Sequence, residues 1–310
     1  ELVFKNKRAA SPWMQLRMLV RRFMTIYWRT PSYNLTRFMI AFGLAVIFGL
    51  VLVNGNYTTY QGLNSAVGII FMTALYQGYI SYVGALPFTF HERSSYYRER
   101  DAQTYNALWY FVGATVAEIP YVFGSGLIFT LIFFPLMGVG SFGTAVLYWI
   151  NVSLFVLLQT YLGQLFIYAL PSVEVAAIVG VLINAIFLLF AGYNPPAGSI
   201  PDSYKWLYHI TPQRYSLSIL IALLFGDCPE DPTYDEITHT YINVRSELPC
   251  QPLQNAPPSI GHTTVKGYLE DVFNVKHNEI WSNFGYVFVF LIVFRALSLL
   301  SIRYINHQKR

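Results

Sequence analysis

The sequence has few charged residues and none of the motifs that usually mark a catalytic or nucleotide-binding site. Charged residues make up 12% of the 310 positions, about half the fraction expected of a soluble domain, while 55% are hydrophobic. These residues contain no Gly-x-x-x-x-Gly-Lys-Ser/Thr phosphate loop, and the six histidines are too scattered for a metal site. We therefore expect a polytopic membrane protein that is not an enzyme on its own and holds no metal or cofactor.

Long apolar stretches are present instead, and they predict an all-α membrane protein. Windows of roughly 20 apolar residues indicate six membrane spans. The spans lie near residues 35–53, 65–90, 106–137, 143–169, 174–193 and 283–305. The chain opens on Glu1 and no signal peptide precedes the first span, so we expect a piece of a longer polypeptide.

The distribution of positive charge predicts the orientation of these spans. Six spans place both ends of the chain on one side, and that side holds fifteen of the twenty Lys and Arg residues. The other side consists mainly of residues 194–282 and holds five basic residues against ten acids. By the positive-inside rule, the termini are cytosolic and the long segment is external.

A dense charged run, from His91 to Asp101, interrupts the apolar pattern between the second and third predicted spans. It carries six charges, whereas the flanking segments 64–90 and 106–137 carry only Glu118. Charges in hydrocarbon are costly, so the run must lie outside it, on the cytosolic side of the membrane. Its mixed signs and paired tyrosines favour a short connector that docks another protein.

The N-terminal segment from Pro12 to Arg29 has the pattern of an amphipathic helix. At 100° per residue its apolar side chains fall within one arc of about 140°, with Arg17, Arg21, Arg22 and Arg29 outside it. The apolar arc comprises Trp13, Leu16, Leu19, Val20, Phe23, Ile26 and Tyr27. Two interpretations remain open: a lipid anchor on the inner leaflet, or an elbow that carries motion from a cytosolic domain into the first span.

Glu118 is the exceptional carboxylate within the predicted spans. Segment 107–137 would be about 46 Å long as a helix, more than the roughly 30 Å hydrocarbon core, so Glu118 is expected near the inner boundary. A structural ion pair with an arginine of the N-terminal helix is favoured over a transported-proton site. The spans otherwise lack the series of carboxylates expected of a proton- or sodium-coupled carrier.

The external segment is expected to form a small cap. Three prolines follow Gly192, and the apolar stretch Ser216–Phe225 is only about half a spanning length, which predicts a re-entrant or surface-lying pair of short helices. Cys228 and Cys250, the only cysteines, both lie in the cap. In an oxidising compartment we expect them to form a disulfide, the alternatives being free thiols or an intermolecular bridge.

Several motifs together resemble the pleiotropic drug resistance branch of the G subfamily of ATP-binding cassette transporters. The connector motif is Glu92-Arg-Ser-Ser-Tyr-Tyr-Arg-Glu-Arg100, followed by Tyr105 and Glu118-Ile-Pro-Tyr121. Further similarity lies in Gln15-Leu-Arg17, Arg29-Thr-Pro31 with Arg37, Gly192, Ile200-Pro201, Trp206 and Pro212-Gln-Arg-Tyr215. The ending Arg303–Arg310 resembles that of full-size members, which implies the C-terminal membrane half.

The resemblance implies an ABC-2 type exporter fold and a division of the chain. Residues 1–34 would form a cytosolic connecting helix, and 35–193 five transmembrane helices with a coupling helix at 91–105. Residues 194–282 would form the external re-entrant region and cap, and 283–310 the sixth transmembrane helix with a cytosolic tail. The nucleotide-binding domain that binds ATP and Mg²⁺ would lie upstream in the same polypeptide.

The resemblance also implies a mechanism and site residues. Two six-helix halves would face each other across an apolar cavity lined by their second and fifth helices, and ATP binding would close that cavity. The coupling contact would use Glu92, Tyr96, Tyr97, Arg98 and Glu99, and Arg29 and Glu118 would form a polar relay. The substrate cavity would be lined by Gln77, Ile80, Val181 and Ala185, with Tyr193 at its upper gate.

The expected function is export of apolar or amphipathic xenobiotics and drugs from the cytosol or inner leaflet, in the plasma membrane. One alternative is a lipid floppase on the same fold, distinguished by which substrate stimulates ATP hydrolysis. The other is a channel or scaffold module without transport, which a coding sequence lacking an upstream phosphate loop would favour. No nucleic-acid partner is expected, and the substrate itself cannot be identified from an apolar cavity.

Overall fold

The computed structural model describes residues 10–237 and 240–307. Within these residues the predicted all-α architecture is confirmed, with a two-stranded antiparallel sheet, β1 (Thr233–Asp235) and β2 (Thr240–Ile242), in the cap. The α-helices, in chain order, are α1 (Pro12–Arg29), α2 (Pro31–Leu52), α3 (Tyr60–Asp101), α4 (Ala107–Met137), α5 (Phe142–Ala169), α6 (Val173–Leu189), α7 (Lys205–Ile210), α8 (Pro212–Phe225), α9 (Val265–Phe273) and α10 (Ile280–Tyr304). Residues 1–9 and 308–310, which hold parts of the predicted connecting segment and tail, lie outside the described residues.

Five of the described helices are long and apolar enough to cross a membrane. They are α2, α3, α4, α5 and the segment His277–Tyr304 that contains α10. The helix α6 has 17 residues and a length of about 25 Å, short of the roughly 30 Å hydrocarbon core. The predicted crossing by α6 therefore stays a prediction.

Local sequence signals explain where the helices begin and end. Polar side chains cap the starts of α3, α4 and α5: Thr59, Asn106 and Ser141 each accept a hydrogen bond from a backbone N–H of the first turn. Between α1 and α2, Pro31 has no N–H with which to continue the first helix and instead opens the second. The two helices are thus consecutive but separate.

The charged run is helical, but it is not a separate connector. It forms the last turns of α3, which continues through Pro87 for 42 residues, about 63 Å. That is about twice the thickness of the hydrocarbon core, so the charged end projects beyond it. The helix expected at 91–105 is therefore the end of α3, which stops at Asp101 before a turn leads to Asn106, and its coupling role stays a prediction.

The helix α5 lies at the centre of the bundle. It contacts α3, α4, α6, α8 and α10, and most of its residues are buried. Polar side chains of α5, among them Asn151, Gln159 and Gln164, are buried with the apolar ones. Buried polar groups need partners, and in this bundle neighbouring helices supply several of them, as Ser216 of α8 does for Asn151.

The region after α6 turns sharply and contains the expected short helices. Gly192 adopts φ +86°, and a Cβ there would lie 2.8 Å from the Tyr208 ring, so both conformation and space require glycine. The helix α7 has only six residues, whereas α8 is buried on nearly all sides. Because α8 packs against α5, α9 and α10, it does not lie on a surface of the described chain.

The cap contains the predicted disulfide. Cys228 and Cys250 are bonded, with their Cα atoms 5.4 Å apart. Two ion pairs lie in the same region: Lys266 is 2.9 Å from Asp231, and Arg245 is 2.8 Å from Glu230. The predicted pairing of the two cysteines is confirmed.

We expect the disulfide to hold the cap together against local unfolding. Closing a loop of this length contributes about 3 kcal/mol, so the double variant Cys228→Ser/Cys250→Ser should be cleaved faster by protease between residues 229 and 249. Wild-type protein treated with dithiothreitol should behave like the variant, and the variant should not respond to the reductant. Mass spectrometry that recovers both cysteines as freely alkylated thiols from unreduced, folded protein would contradict the prediction.

Candidate functional site

The carboxylate of Glu118 is fully buried and accepts hydrogen bonds from three other helices. Its Oε1 accepts from Arg37 Nη1 at 2.8 Å and from the Tyr33 hydroxyl at 3.0 Å, both on α2. Its Oε2 accepts from the Tyr27 hydroxyl of α1 at 2.5 Å and from Gln164 Nε2 of α5 at 3.3 Å. One side chain of α4 therefore joins α1, α2 and α5.

The ion pair differs from the expected one. The partner of Glu118 is Arg37 of α2, which also donates to the Tyr33 hydroxyl at 2.7 Å and lies over its ring. The predicted relay residue Arg29 is exposed and forms no ion pair with any described residue. It follows Tyr27 by two positions, about 200° around α1, so it points away from the bundle when Tyr27 points in.

A second buried arginine extends the network to α10. Arg295 Nη1 donates to Gln164 Oε1 at 2.5 Å, and its other terminal nitrogen donates to Thr115 Oγ1. The guanidinium lies between the rings of Phe111 and Tyr161, with its carbon 4.0 and 4.3 Å from their centroids. Gln164 thus bridges Arg295 to Glu118, and we call Tyr27, Tyr33, Arg37, Glu118, Gln164 and Arg295 the polar core.

Most of the polar core was missed by the sequence analysis, although a signal existed. Arg37 and Arg295 both fall inside predicted spans, where a charged side chain is costly and usually functional or paired. They were counted with the cytosolic charges that set the orientation. An arginine within each of two spans and a glutamate within a third could have suggested a buried ionic cluster.

The charged end of α3 is fixed to α1 by Glu99. Its Oε2 accepts from Arg22 Nη1 at 2.7 Å and from the Tyr105 hydroxyl at 2.5 Å. Burial opposes the charge of Glu99, but these two hydrogen bonds outweigh it and hold the pKa of Glu99 below its ordinary value. Burial first, and then the hydrogen bond to the negative charge of Glu99, raise the pKa of Tyr105, while the nearby charge of Arg22 opposes the rise.

Two of the five predicted coupling residues are not on the surface. Tyr96 and Tyr97 are 0% and 3% exposed, and the Tyr96 ring packs 4.6 Å from that of Tyr110. Nearby, Arg93 donates to the carbonyls of Ile167, Leu170 and Pro171 and so caps the end of α5. Positions 93, 96 and 97 share one helix face, and that face is the one packed into the bundle.

The outer face of the same helix end carries the exposed residues. Among the predicted coupling residues, Arg98 is exposed, whereas Glu92 and Glu99 are half-buried. His91, Ser94 and Asp101 are also exposed on this segment. A partner domain contacting the described chain here would meet these four exposed positions and not the paired tyrosines.

The predicted cavity residues do not form one surface. Val181 and Ala185 are exposed on α6, and Ile80 is half-buried, but Gln77 is buried and lines a void of about 10 Å³ between α2, α3, α4 and α5. Tyr193 is half-buried, and its ring packs 4.7 Å from Phe71 and 5.8 Å from Phe273. The assignment of Gln77 to an open cavity is therefore wrong for this conformation.

The exposed strip of α3 lies beside the predicted position. It consists of Met72, Tyr76, Tyr79 and Val83, which are 39% to 49% exposed. Tyr76 precedes Gln77 by one residue, about 100° around the helix. If α3 lines a cavity shared with a second membrane half, this strip is the face that does so.

Comparison with known proteins connects this geometry to a transporter family. Residues 14–225 match the family described as ABC-2 type transporter, and residues 230–310 match the CDR ABC transporter family. The whole chain is 30% identical to ABC transporter G family member 33 of Arabidopsis thaliana and 27% identical to ABC transporter G family member 38 of Oryza sativa subsp. japonica. The chain spans 20% and 19% of the length of these relatives.

The buried pair should behave as one unit in mutagenesis. Replacing Glu118 with Gln, or Arg37 with Gln, leaves the other charge buried without its partner and should cost about 3–5 kcal/mol. The double variant Arg37→Gln/Glu118→Gln should lose less than the sum of the single losses, because neither member of the pair is then left charged without the other.

Thermal denaturation of the purified protein measures this coupling, with unfolding monitored as the loss of the monodisperse fraction. Glu174→Gln is the matched control, since Glu174 is exposed on α6 and should be replaced without loss. Losses that simply add in the double variant would show that Glu118 and Arg37 are not coupled.

Proposed function

The chain belongs to the ABC-2 type transporter family, and from this premise we propose that it is the membrane domain of an ATP-driven exporter of the pleiotropic drug resistance type. Its substrates would be apolar or amphipathic compounds taken from the cytosol or the inner leaflet. A nucleotide-binding domain outside this chain would supply ATP hydrolysis, and a second membrane half would complete the cavity. The proposed location is the plasma membrane, with both termini cytosolic.

The observation that carries the proposal is the connection between the charged end of α3 and the rest of the bundle. The same continuous helix contains the exposed charged positions and the exposed apolar strip. Its charged end is fixed to α1 by Glu99 and Arg22, and α1 in turn contacts the polar core through Tyr27. A force applied by a nucleotide-binding domain at Arg98 would therefore reach several helices together.

The exposed surfaces of α3 and α6 support an apolar cavity. The strip of α3 contains no charged residue, and on α6 Ile178, Val181 and Leu182 are 51% to 71% exposed. Surfaces of this kind recognise shape and apolar area and make few directional polar contacts. The same surfaces would serve a lipid floppase, so that function remains the alternative, separated by which compound stimulates ATP hydrolysis.

The first functional prediction concerns the contact between α1 and α3. In the full-length protein Glu99→Arg should reduce efflux and substrate-stimulated ATPase by at least about ten-fold, because it places like charges where a 2.7 Å ion pair was. Substrate binding should persist, since Glu99 lies at the charged end of α3 and not on the apolar strip.

A charge swap tests whether the Arg22 contact itself is responsible. The double variant Arg22→Glu/Glu99→Arg restores opposite charges at the same positions and should recover much of the efflux. Efflux would be measured in vesicles at matched expression. Wild-type efflux and ATPase in a well-expressed Glu99→Arg protein would refute the coupling role of this contact.

The second functional prediction concerns the exposed face of α6. Ala185→Phe should reduce efflux of bulky substrates more than that of small ones, because the added ring would occupy cavity volume while the charged end of α3 is unchanged. Ala296→Phe on the exposed face of α10 is the matched control and should transport the whole size series normally. Uniform wild-type transport by Ala185→Phe would show that this face of α6 meets lipid.

A further inference from the structure

A groove that includes Ile80, one of the predicted cavity residues, runs between α2 and the stretch of α3 from Ile80 to Glu92, next to the end of α1. Its volume is about 500 Å³, which is within the range of small-molecule sites. Tyr33 and Arg37 form part of its wall, so the groove lies against the polar core. Ile80 and Gly84 of α3 also line it, about 100° around the helix from the exposed positions Tyr79 and Val83.

Along α3 the groove lining changes from apolar to charged, while on the α2 side Arg37, already paired with Glu118, lies beside Ile80. Ile80 lines one end and Glu92 the other, twelve residues apart on one helix, or about 18 Å. Between them lie Gly84 and Phe88, each one turn from the next. A groove of this length and polarity would fit a molecule with an apolar body and a single polar head.

The charged end of the groove has an anion without a partner. Arg37 is already paired with Glu118 at 2.8 Å, whereas Glu92 forms no ion pair with any described residue. The Oε2 atom of Glu92 is buried and accepts no hydrogen bond from the described residues. A buried acceptor in this state is costly, and an added donor with a positive charge would relieve that cost.

The electrostatic surroundings of Glu92 leave room for such a cation. Burial raises the pKa of Glu92, while the charges of Arg22 and His91 act in the opposite direction. Arg22 is occupied by its hydrogen bond to Glu99 at 2.7 Å. The groove therefore holds a carboxylate that nearby cations influence but do not neutralise through direct contact.

Aromatic side chains line the groove next to this carboxylate. The rings of Phe88 and Tyr33 are stacked, with centroids 4.8 Å apart. A carboxylate combined with aromatic rings is the chemistry that recognises alkylammonium groups. Packing does not require glycine at position 84, because a Cβ there would meet only the Tyr33 ring at an ordinary 3.8 Å, so the open space belongs to the groove.

We propose that this groove binds a cationic amphiphile, with its ammonium head at Glu92 and its apolar body along Phe88 and Gly84 toward Ile80. The site lies between α2 and α3, and not on the exposed strip of α3 or on α6, and it shares only Ile80 with the predicted cavity residues. It is a binding site in its own right, so its occupation does not depend on whether the bound compound is transported.

Photoaffinity labelling of the full-length protein in lipid nanodiscs tests the proposal. The probes are three dodecyl chains that carry the same mid-chain diazirine and end in an ammonium, a hydroxyl or a phosphate group. The ammonium probe should label peptides within residues 26–37 and 80–92 about ten-fold more than the hydroxyl probe, since the two differ by one charge-assisted hydrogen bond. Unlabelled dodecylamine should compete.

Variants separate the head contact from the groove. Glu92→Gln should reduce labelling by the ammonium probe to the level of the hydroxyl probe and leave the hydroxyl probe unchanged. Gly84→Leu should block both, whereas Gly285→Leu, at an exposed position of α10 with open space around it, should block neither.

Three outcomes would overturn the proposal. Equal labelling by the ammonium and hydroxyl probes in wild-type protein would show that Glu92 does not select a cation. Preferential labelling by the phosphate probe would assign the groove to an anionic lipid headgroup. Unchanged labelling of Gly84→Leu would place the labelled site outside the groove. If a variant fails to fold, the comparison of the ammonium and hydroxyl probes in wild-type protein still tests the proposal.

Discussion

The buried ion pair between Glu118 and Arg37 is the constraint on which the rest of the bundle depends. Neither charge has a low-cost alternative partner in hydrocarbon, so α2 and α4 must keep the rotation and height that bring these groups to 2.8 Å. Tyr27 and Gln164 complete the hydrogen bonds of the carboxylate and so fix α1 and α5 to the same point. Apolar packing alone would allow these helices to slide, whereas a shared acceptor selects one arrangement.

Arg295 shows that the polar core is not electrically balanced. Its guanidinium contacts an amide oxygen, a hydroxyl and two aromatic rings, and among the described residues no carboxylate pairs with it. The nearest compensation is Glu118, reached through Gln164. The core therefore contains two cations for one anion, and the aromatic faces of Phe111 and Tyr161 provide part of the stabilisation that a second carboxylate would otherwise give.

Sequence patterns predicted features that depend on local chemistry and missed those that depend on helix rotation. The amphipathic pattern predicted a helix over Pro12–Arg29, and these are the bounds of α1. The two cysteines of the cap predicted the disulfide. A helix was expected over the charged run, but its continuity with the preceding span was missed, because charge density marks where a chain leaves hydrocarbon and not where a helix ends; Glu and Arg are good helix formers. Gln77 was misassigned because a helix apolar on all sides carries no signal for which face is buried.

The uninterrupted length of α3 has a mechanical consequence. A helix of 42 residues that tilts as one body about its middle would act as a lever whose two arms are each about 30 Å long. A tilt of about 10° imposed on one arm displaces the far end by about 5 Å, close to the rise of one helical turn. Such a tilt would convert a displacement at one membrane surface into an opposite displacement at the other without any change in secondary structure.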